Sequence, residues 1–238
     1  MKAIILAGGR GERLKPLTDS IPKPMIEAAG KPILEHIISQ MKKHGIKDFI
    51  IALYYLPKVI TSYFGNGSKL GVNIQYTFEN LPMGTAGAVL PSKKFIKETF
   101  IVTYADILRD LDITAMTAQH QKKKALATIN IYKRKSRNAK SCVIFDNNGK
   151  VIKFVERPSK KKLKGKFIWA NGSFYVFEPE IFSYIPQNKP SDFGKDIFPD
   201  VLTAKKSIYV YPSNDYFIDI GNKEKLSLAR RTYLCSFG

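Results

Sequence analysis

The chain has 238 residues, 44% of them hydrophobic, and no apolar run near the ~20 residues that span a bilayer, so it reads as one α/β domain or a tight pair of subdomains without membrane insertion. A net charge of +19 points to anionic partners, but the lysines are dispersed and lack the aromatic interleaving of single-strand binders, which sets small anionic substrates ahead of nucleic acid. Cys142 and Cys235 make neither a disulfide framework nor a metal motif, which fits a reduced cytoplasmic setting.

The first predicted element is a buried strand over about residues 2–7, from the apolar run Ala3-Ile4-Ile5-Leu6-Ala7. It begins at once, so no signal peptide is expected ahead of it. Gly8, Gly9 and Gly11 follow where that strand ends. A backbone without Cβ atoms turns sharply and brings its N–H groups close to an anion. Arg13 and Lys23 add positive charge over the same space, so the stretch reads as a polyphosphate site. It is not a G-x-x-x-x-G-K-[ST] loop. Nor is it a dinucleotide fingerprint: Leu14 stands where the third glycine would be, and the second strand runs into Tyr54-Tyr55 without an acid. A ligand-free tight turn leaves Arg13, Lys23 and two prolines unexplained.

A helix from about Ile33 to His44 follows, with Ile33, Ile37, Ile38 and Met41 on one face and Gly45 ending it. The pattern then predicts a strand at 48–53, helix 57–64, strand 72–78, a helix near 84–90 and the strand Thr99–Thr103. This βαβαβαβ order implies a largely parallel sheet with helices on both faces and ligands at the carboxyl ends of its strands. The glycine loop, Glu79–Gly87 and Asp106 all lie at such ends. Asp110 and Asp112 read as exposed loop residues. Strands at about 125–132, 141–145 and 151–155 come next, with Asp146-Asn147-Asn148-Gly149 as a hairpin turn. The lysine-rich stretch Ser159–Lys166 reads as a solvated loop. A strand at 171–177, a helical stretch at 179–185, a helix at 193–203, a strand at 207–211 and a C-terminal helix from about Lys223 complete the series. His36, His44 and His120 have no ligand spacing and are expected on helix surfaces.

Seven motifs then fall in one order along nearly the whole chain. They are G-G-x-G-x-R-L-x-P-L-T over Gly8–Thr18, P-K-P-M over Pro22–Met25, Met83-Gly84-Thr85-Ala86-Gly87-Ala88, Ala105-Asp106, Val155-Glu156-Arg157-Pro158, Asn171-Gly172 and Phe217-Ile218-Asp219-Ile220-Gly221. This set resembles the signature of the sugar nucleotidyltransferases, or nucleoside-diphosphate-sugar pyrophosphorylases. The resemblance implies a Rossmann-like three-layer sandwich with a mixed, mainly parallel central sheet. It implies a single domain over residues 1–238, with a nucleotide-binding half at 1–110 and a sugar-phosphate-binding half at 111–238, and no room for the C-terminal β-helix many members carry. The implied reaction joins an NTP to a sugar 1-phosphate and releases pyrophosphate. Leu6, Ala7, Gly8, Gly9, Gly11, Glu79, Pro82, Gly84 and Thr85 then fall to the nucleotide. Arg13 and the glycine-loop amides hold the β- and γ-phosphates, and Lys23 steadies the α-phosphoryl group. Glu156, Arg157 and Asn171 fall to the sugar phosphate, and Asp106 and Asp219 to Mg²⁺. The resemblance leaves homo-oligomerisation open.

Glu79 occupies the position that faces the nucleobase in this family. A carboxylate only accepts hydrogen bonds, and guanine offers a two-donor edge, so GTP is expected. Chain length, Glu79 and the Asp215–Gly221 ending are most similar to small mannose-1-phosphate or heptose-1-phosphate guanylyltransferases. The alternatives are a glucose-1-phosphate uridylyl- or thymidylyltransferase and a non-catalytic nucleotide-sugar-binding regulatory protein. Three residues depart from the family pattern: Ala105 and Ser173 replace glycines, and Arg157 replaces a lysine, which changes a point charge into a planar fork. Plainer readings stand beside these. Glu79 is then a solvated loop end, Asp219 an N-cap for the last helix, and Glu156–Arg157 a surface pair worth under about 1 kcal/mol.

Overall fold

The computed structural model describes residues 1–136, 140–159, 163, 165–214 and 216–237, with the backbone alone for 233–237. Half of the expected lysine-rich loop (Lys160–Lys162 and Lys164), the Asp215 that opens the Asp215–Gly221 ending and the Cys235 side chain lie outside the described residues.

In chain order the strands are β1 (Lys2–Leu6), β2 (Glu27–Ala28), β3 (Lys31–Pro32), β4 (Asp48–Leu53), β5 (Asn73–Phe78), β6 (Phe100–Tyr104) and β7 (Ile107–Arg109). They continue as β8 (Ala127–Lys135), β9 (Ser141–Phe145), β10 (Val151–Glu156), β11 (Phe167–Phe177), β12 (Ile208–Pro212) and β13 (Phe217–Asp219). The α-helices are α1 (Ile33–Lys43), α2 (Pro57–Phe64), α3 (Gly84–Gly87), α4 (Ile113–Lys123), α5 (Phe198–Thr203) and α6 (Lys223–Phe237). The chain divides into two units. The first comprises Met1–Pro82, Thr103–Asp112 and Asp215–Gly238, and the second Met83–Val102 and Ile113–Asn214.

In the first unit β4 pairs in parallel with β1 and with β5, in register from Lys2↔Asp48 and Asp48↔Asn73 onward. Strands covered on both faces read as unbroken apolar runs. Ala3, Ile4 and Ile5 of β1 and Phe49 to Leu53 of β4 accordingly lie at 1% exposure or less. Helix α1 buries Ile33, Leu34, Ile37, Ile38 and Met41, each worth roughly 1.5–3 kcal/mol on removal from water. The chain leaves it through Gly45 in the left-handed conformation. Two antiparallel ribbons, β2–β3 and β7–β13, were not expected from the sequence. Strands of two or three residues carry no readable alternation.

In the second unit β8 pairs antiparallel with β11 and parallel with β12, so the fold is α/β with mixed, mainly parallel strand pairing. The hairpin β9–β10 turns where expected. The Asp146 carboxylate accepts from the amides of Asn148 (2.9 Å) and Lys150 (2.8 Å), and Gly149 takes the left-handed position. Strand β11 starts at Phe167, earlier than expected, and bulges between Asn171 and Tyr175. Its aromatic side chains make the core: Tyr175 and Phe177 lie 5.4 and 5.1 Å, ring to ring, from Phe193, and Phe154 lies 5.0 Å from Phe198. The expected helix at 193–203 is a π-helical turn, Phe193–Ile197, running into α5. Near 84–90 the α-helix is only the single turn of α3. Helix α4 was missed, because only Ile113, Met116 and His120 face inward from an otherwise polar sequence. Asp110 and Asp112 are exposed, as expected. Among the described residues no helix is long and apolar enough to cross a membrane.

Two of the three histidines correct the surface assignment, while His44 is partly exposed. His36 is 9% exposed and its Nε2 lies 2.6 Å from the Ala28 carbonyl oxygen. His120 is 1% exposed, with Nδ1 at 2.9 Å from the Thr128 hydroxyl and Nε2 at 3.1 Å from Glu178. Each ring is drawn inside because the neighbouring chain supplies polar partners. Burial pushes the His120 pKa down from 6.5, against the opposing pull of Glu178. A base held neutral in the fold stabilises it above its unfolded pKa and loses that contribution as pH falls. The melting temperature should therefore fall between about pH 7 and 5, and the slope should flatten in His120→Gln when both are followed by circular dichroism.

Candidate active site

The first unit holds a cleft of about 690 Å³ lined by Gly8 to Leu14, Lys23, Tyr54, Pro82, Asp106 and Gly221. Strand β1 ends at its edge, where the Ala7 amide donates to the Ala52 carbonyl (2.9 Å) and the glycines take over. Gly8 has a packing reason to lack a side chain: a Cβ there would stand 3.0 Å from Glu79 Oε1 and 3.1 Å from Tyr54 Cβ. Around Gly9 there is open space, which leaves its backbone accessible. Gly11 is left-handed (φ 66°) and starts the 3-10 turn Glu12–Leu14 that carries Arg13. A Cβ at Gly11 would meet Thr18 Cγ2 at 2.9 Å and Lys23 Cβ at 3.2 Å.

Lys23 begins a second 3-10 turn and is only 8% exposed, yet its ammonium faces the cleft and pairs with Asp106 Oδ2. A nearly buried ammonium needs such a partner. Asp106 follows β6, and its carbonyl accepts from the Ile220 amide (2.9 Å), while Asp219 pairs with Ile107 across β7–β13. The ribbon thus sets the two carboxylates on adjoining backbones. A Cβ on Gly221 would lie 3.2 Å from both the Arg13 guanidinium and Asp219 Oδ1. Asp219 does not cap α6; Asn222 does, accepting from the Lys225 amide (2.9 Å). Among the described residues no group of three or more His, Cys, Asp or Glu could hold a metal. Two carboxylates on adjoining backbones beside the glycine loop nevertheless fit Mg²⁺, which takes one or two carboxylates and completes its shell with water and phosphate oxygens. That Asp106 already receives a cationic group from the cleft side is consistent with this fit.

The second unit contains the remaining candidates. The space a Cβ would take at Gly84 is filled by the Ser191 backbone, whose carbonyl oxygen would stand 2.5 Å away. The Ser191 carbonyl accepts from the Ala86 and Gly87 amides, and the Asp192 carboxylate accepts from the Thr85 amide (3.2 Å) and hydroxyl (3.1 Å). Gly84 and Thr85 are therefore built into a clamp. Glu156 closes β10, half-buried against Gly194, where a Cβ would stand 2.7 Å from its Oε2. Burial raises its pKa, Arg157 opposes that rise, and Asp192 adds to it. The carboxylate is thus not the solvated half of a surface pair. Asn171 spans the β11 bulge: its Oδ1 accepts from the Ser173 amide (2.9 Å) and its Nδ2 donates to the Tyr175 hydroxyl (2.8 Å).

The structure gives the local setting of each departure from the family pattern and explains none of the exchanges. Ser173 (φ 57°) and Arg157 (φ 49°) are both left-handed, a conformation glycine adopts freely and other residues adopt at a cost of about 1–2 kcal/mol. Ala105 is 2% exposed, and its amide donates to the Leu6 carbonyl (3.0 Å). Sequence reasoning missed Arg10 and Tyr54 in the cleft and Ser191–Asp192 in the clamp. Tyr54 carried one usable signal, its place at the carboxyl end of β4; the others carried none.

A family profile described as nucleotidyl transferase matches residues 2–235. The UTP–glucose-1-phosphate uridylyltransferase of Synechocystis is 34% identical over 93% of this chain and 60% of its own length. The mannose-1-phosphate guanylyltransferase of Mycobacterium tuberculosis is 33% identical over 93% of this chain and 61% of its own. The chain thus spans about three fifths of the curated relatives it matches. Among solved structures, HddC of Yersinia pseudotuberculosis complexed with GMP-PN superposes with a TM-score of 0.82 at 25% identity, covering 98% of this chain and 99% of that one. A UDP-glucose pyrophosphorylase complexed with UDP-glucose has a TM-score of 0.82 at 19% identity, over 99% and 98% of the two chains, and speaks to the fold alone. On a match across almost its whole length, this chain belongs to the nucleotidyl transferase family.

Proposed function

We propose that the protein is a sugar-1-phosphate nucleotidyltransferase that joins an NTP to a sugar 1-phosphate with release of pyrophosphate. The observation that carries this reading is the convergence of the Gly8–Gly11 backbone, Arg13, Lys23 and Asp106 on one cleft. Such a cleft supplies a glycine backbone, three side-chain cations with Arg10 included, and the carboxylates of Glu12 and Asp106, a balance that suits a triphosphate. GTP is the proposed nucleotide. It is supported by the Glu79 carboxylate over Gly8, by the guanylyltransferase relative and by the HddC complex. Mannose or heptose 1-phosphate is the proposed acceptor. The Synechocystis relative favours a second reading, UTP with glucose 1-phosphate. Use of an NTP as substrate fits a cytoplasmic place in nucleotide-sugar biosynthesis.

The attacking group is a phosphate monoester whose second pKa is about 6, so it is already ionised at neutral pH and needs no general base. Catalysis then reduces to positioning and charge stabilisation. Arg13 and the loop amides take the β- and γ-phosphates, and Leu6, Ala7, Glu79 and Pro82 bound the nucleoside. Lys23 steadies charge at the α-phosphoryl group. Gly84 and Thr85 are assigned to the nucleotide, and Glu156, Arg157 and Asn171 to the sugar phosphate, on the family pattern. Mg²⁺, when held by Asp106 and Asp219, would neutralise charge on the phosphate oxygens.

Pyrophosphate release, measured with GTP, UTP, dTTP, CTP and ATP against mannose, heptose, glucose and N-acetylhexosamine 1-phosphates, tests this directly. The strongest signal is expected with GTP and mannose or heptose 1-phosphate. Loss of turnover by about 10²-fold in Lys23→Ala is the expected cost of one preorganised charge. Silence in every combination by a folded protein that binds nucleotide would instead favour a regulatory, non-catalytic member. For Glu156, an acid whose pKa is raised in the fold is stabilising when protonated and loses that contribution as pH rises past its ordinary value of 4.5. Glu156→Gln should therefore melt higher than wild type at neutral pH, with the gap closing in acid, while sugar-phosphate KM rises.

A further inference from the structure

We propose that Tyr55, which lies outside the seven motifs, is a positioning residue that holds the phosphate loop in its working shape. The inference rests on the nucleotide-binding reading of the cleft. Residues Glu12–Asp19 make their backbone hydrogen bonds locally: Leu14 to Gly11, Lys15 to Glu12, Leu17 to Leu14 and Asp19 to Pro16. Short turns of that kind set a local curve but do not fix it to the sheet. Tyr55 follows β4, and its phenol stands within reach of the Thr18 (3.0 Å) and Asp19 (3.2 Å) carbonyls, which share its one proton.

From Thr18 the tie continues inward. Thr18 is fully buried, and its hydroxyl donates to the Gly11 carbonyl (3.0 Å). Gly11 packs so closely on Thr18 and Lys23 that not even a methyl group fits between them. A shift at Thr18 is therefore passed to the left-handed turn that aims Arg13 and to the stem of Lys23. Arg10 adds a second tie, its guanidinium lying 5.8 Å from the Tyr54 ring centre and 5.9 Å from that of Tyr55. Sheet, tyrosine, threonine and glycine thus form one chain of contacts that ends at two cationic groups.

Tyr55→Phe tests this, because it keeps the ring and the Arg10 contact and deletes only the hydroxyl. Tyr76→Phe is the control: its hydroxyl also donates to a backbone carbonyl, that of Gly65 (2.6 Å), outside the cleft lining. Two readouts are expected to move in Tyr55→Phe and not in Tyr76→Phe. The NTP KM for pyrophosphate release should rise about tenfold, the net worth of one hydrogen bond. Trypsin cleavage after Arg13 in the nucleotide-free protein should accelerate by about the same factor. In an Arg13→Ala background Tyr55→Phe should raise the NTP KM by clearly less than in the wild type, because coupled residues are not additive and only the Lys23 branch of the tie remains. Wild-type cleavage rates in Tyr55→Phe, or an undiminished effect in Arg13→Ala, would overturn the proposal. A wild-type protein inactive with every substrate pair would overturn the enzymatic reading instead, and the digestion would still decide whether Tyr55 holds the loop.

Discussion

An ammonium group removed from water must be paired, and in this protein that requirement organises the cleft. Lys23 is almost wholly buried along its stem, with its charge turned to the cleft and matched by Asp106. The pairing fixes the turn Lys23–Met25 against the end of β6. It also places a cation and a carboxylate together in the cleft lined by the glycine loop. Gly11 lies against the same lysine stem, so the curvature of the loop and the position of the cation are set by one packing contact. The ribbon β7–β13 extends this arrangement by carrying Asp219 alongside Asp106 through a backbone hydrogen bond.

The second unit is arranged by a different force. Its aromatic rings pack around Phe193, and the π-helical turn that begins there is held by that core. The turn presents Gly194 to the Glu156 carboxylate, and the residues just before it clamp Thr85 and the α3 turn. Polar residues at the edges of this unit are thus aimed by apolar burial beneath them. The same logic accounts for His120, which is interior because Thr128 and Glu178 satisfy both ring nitrogens.

Two of the left-handed non-glycine residues lie among the candidate sugar-phosphate residues: Arg157 is one of them, and Ser173 follows Asn171 by two positions. Backbone held in such a conformation persists only where neighbours over-determine it. At Ser173 the neighbour is the Asn171 side chain, which holds the bulge from within by bonding the Ser173 amide and the Tyr175 hydroxyl. At Arg157 the amide is held by the Lys140 carbonyl (2.7 Å).

Much of the protein was legible in its sequence. Continuous apolar runs identified β1 and β4, one helical face identified α1, and Asp146–Gly149 identified the hairpin, because each depends on neighbours a few residues away. The glycines with Arg13 and Lys23 marked the cleft for the same reason: lack of a Cβ and fixed charge are properties of the residues themselves. What the sequence could not carry were contacts between distant segments. Among these are the clamp of Ser191–Asp192 on Gly84 and Thr85, the β7–β13 ribbon that brings residues 215–238 back to the first unit, and the inward turn of His36 and His120. Tyr55 belongs with them, since a tyrosine at a strand end reads as a surface aromatic until its hydroxyl is found at the Thr18 carbonyl. Local chemistry determined which residues were available to line the cleft. The tertiary structure decided which of them meet, because packing and long-range hydrogen bonds depend on where remote segments lie and leave no periodic trace in the chain.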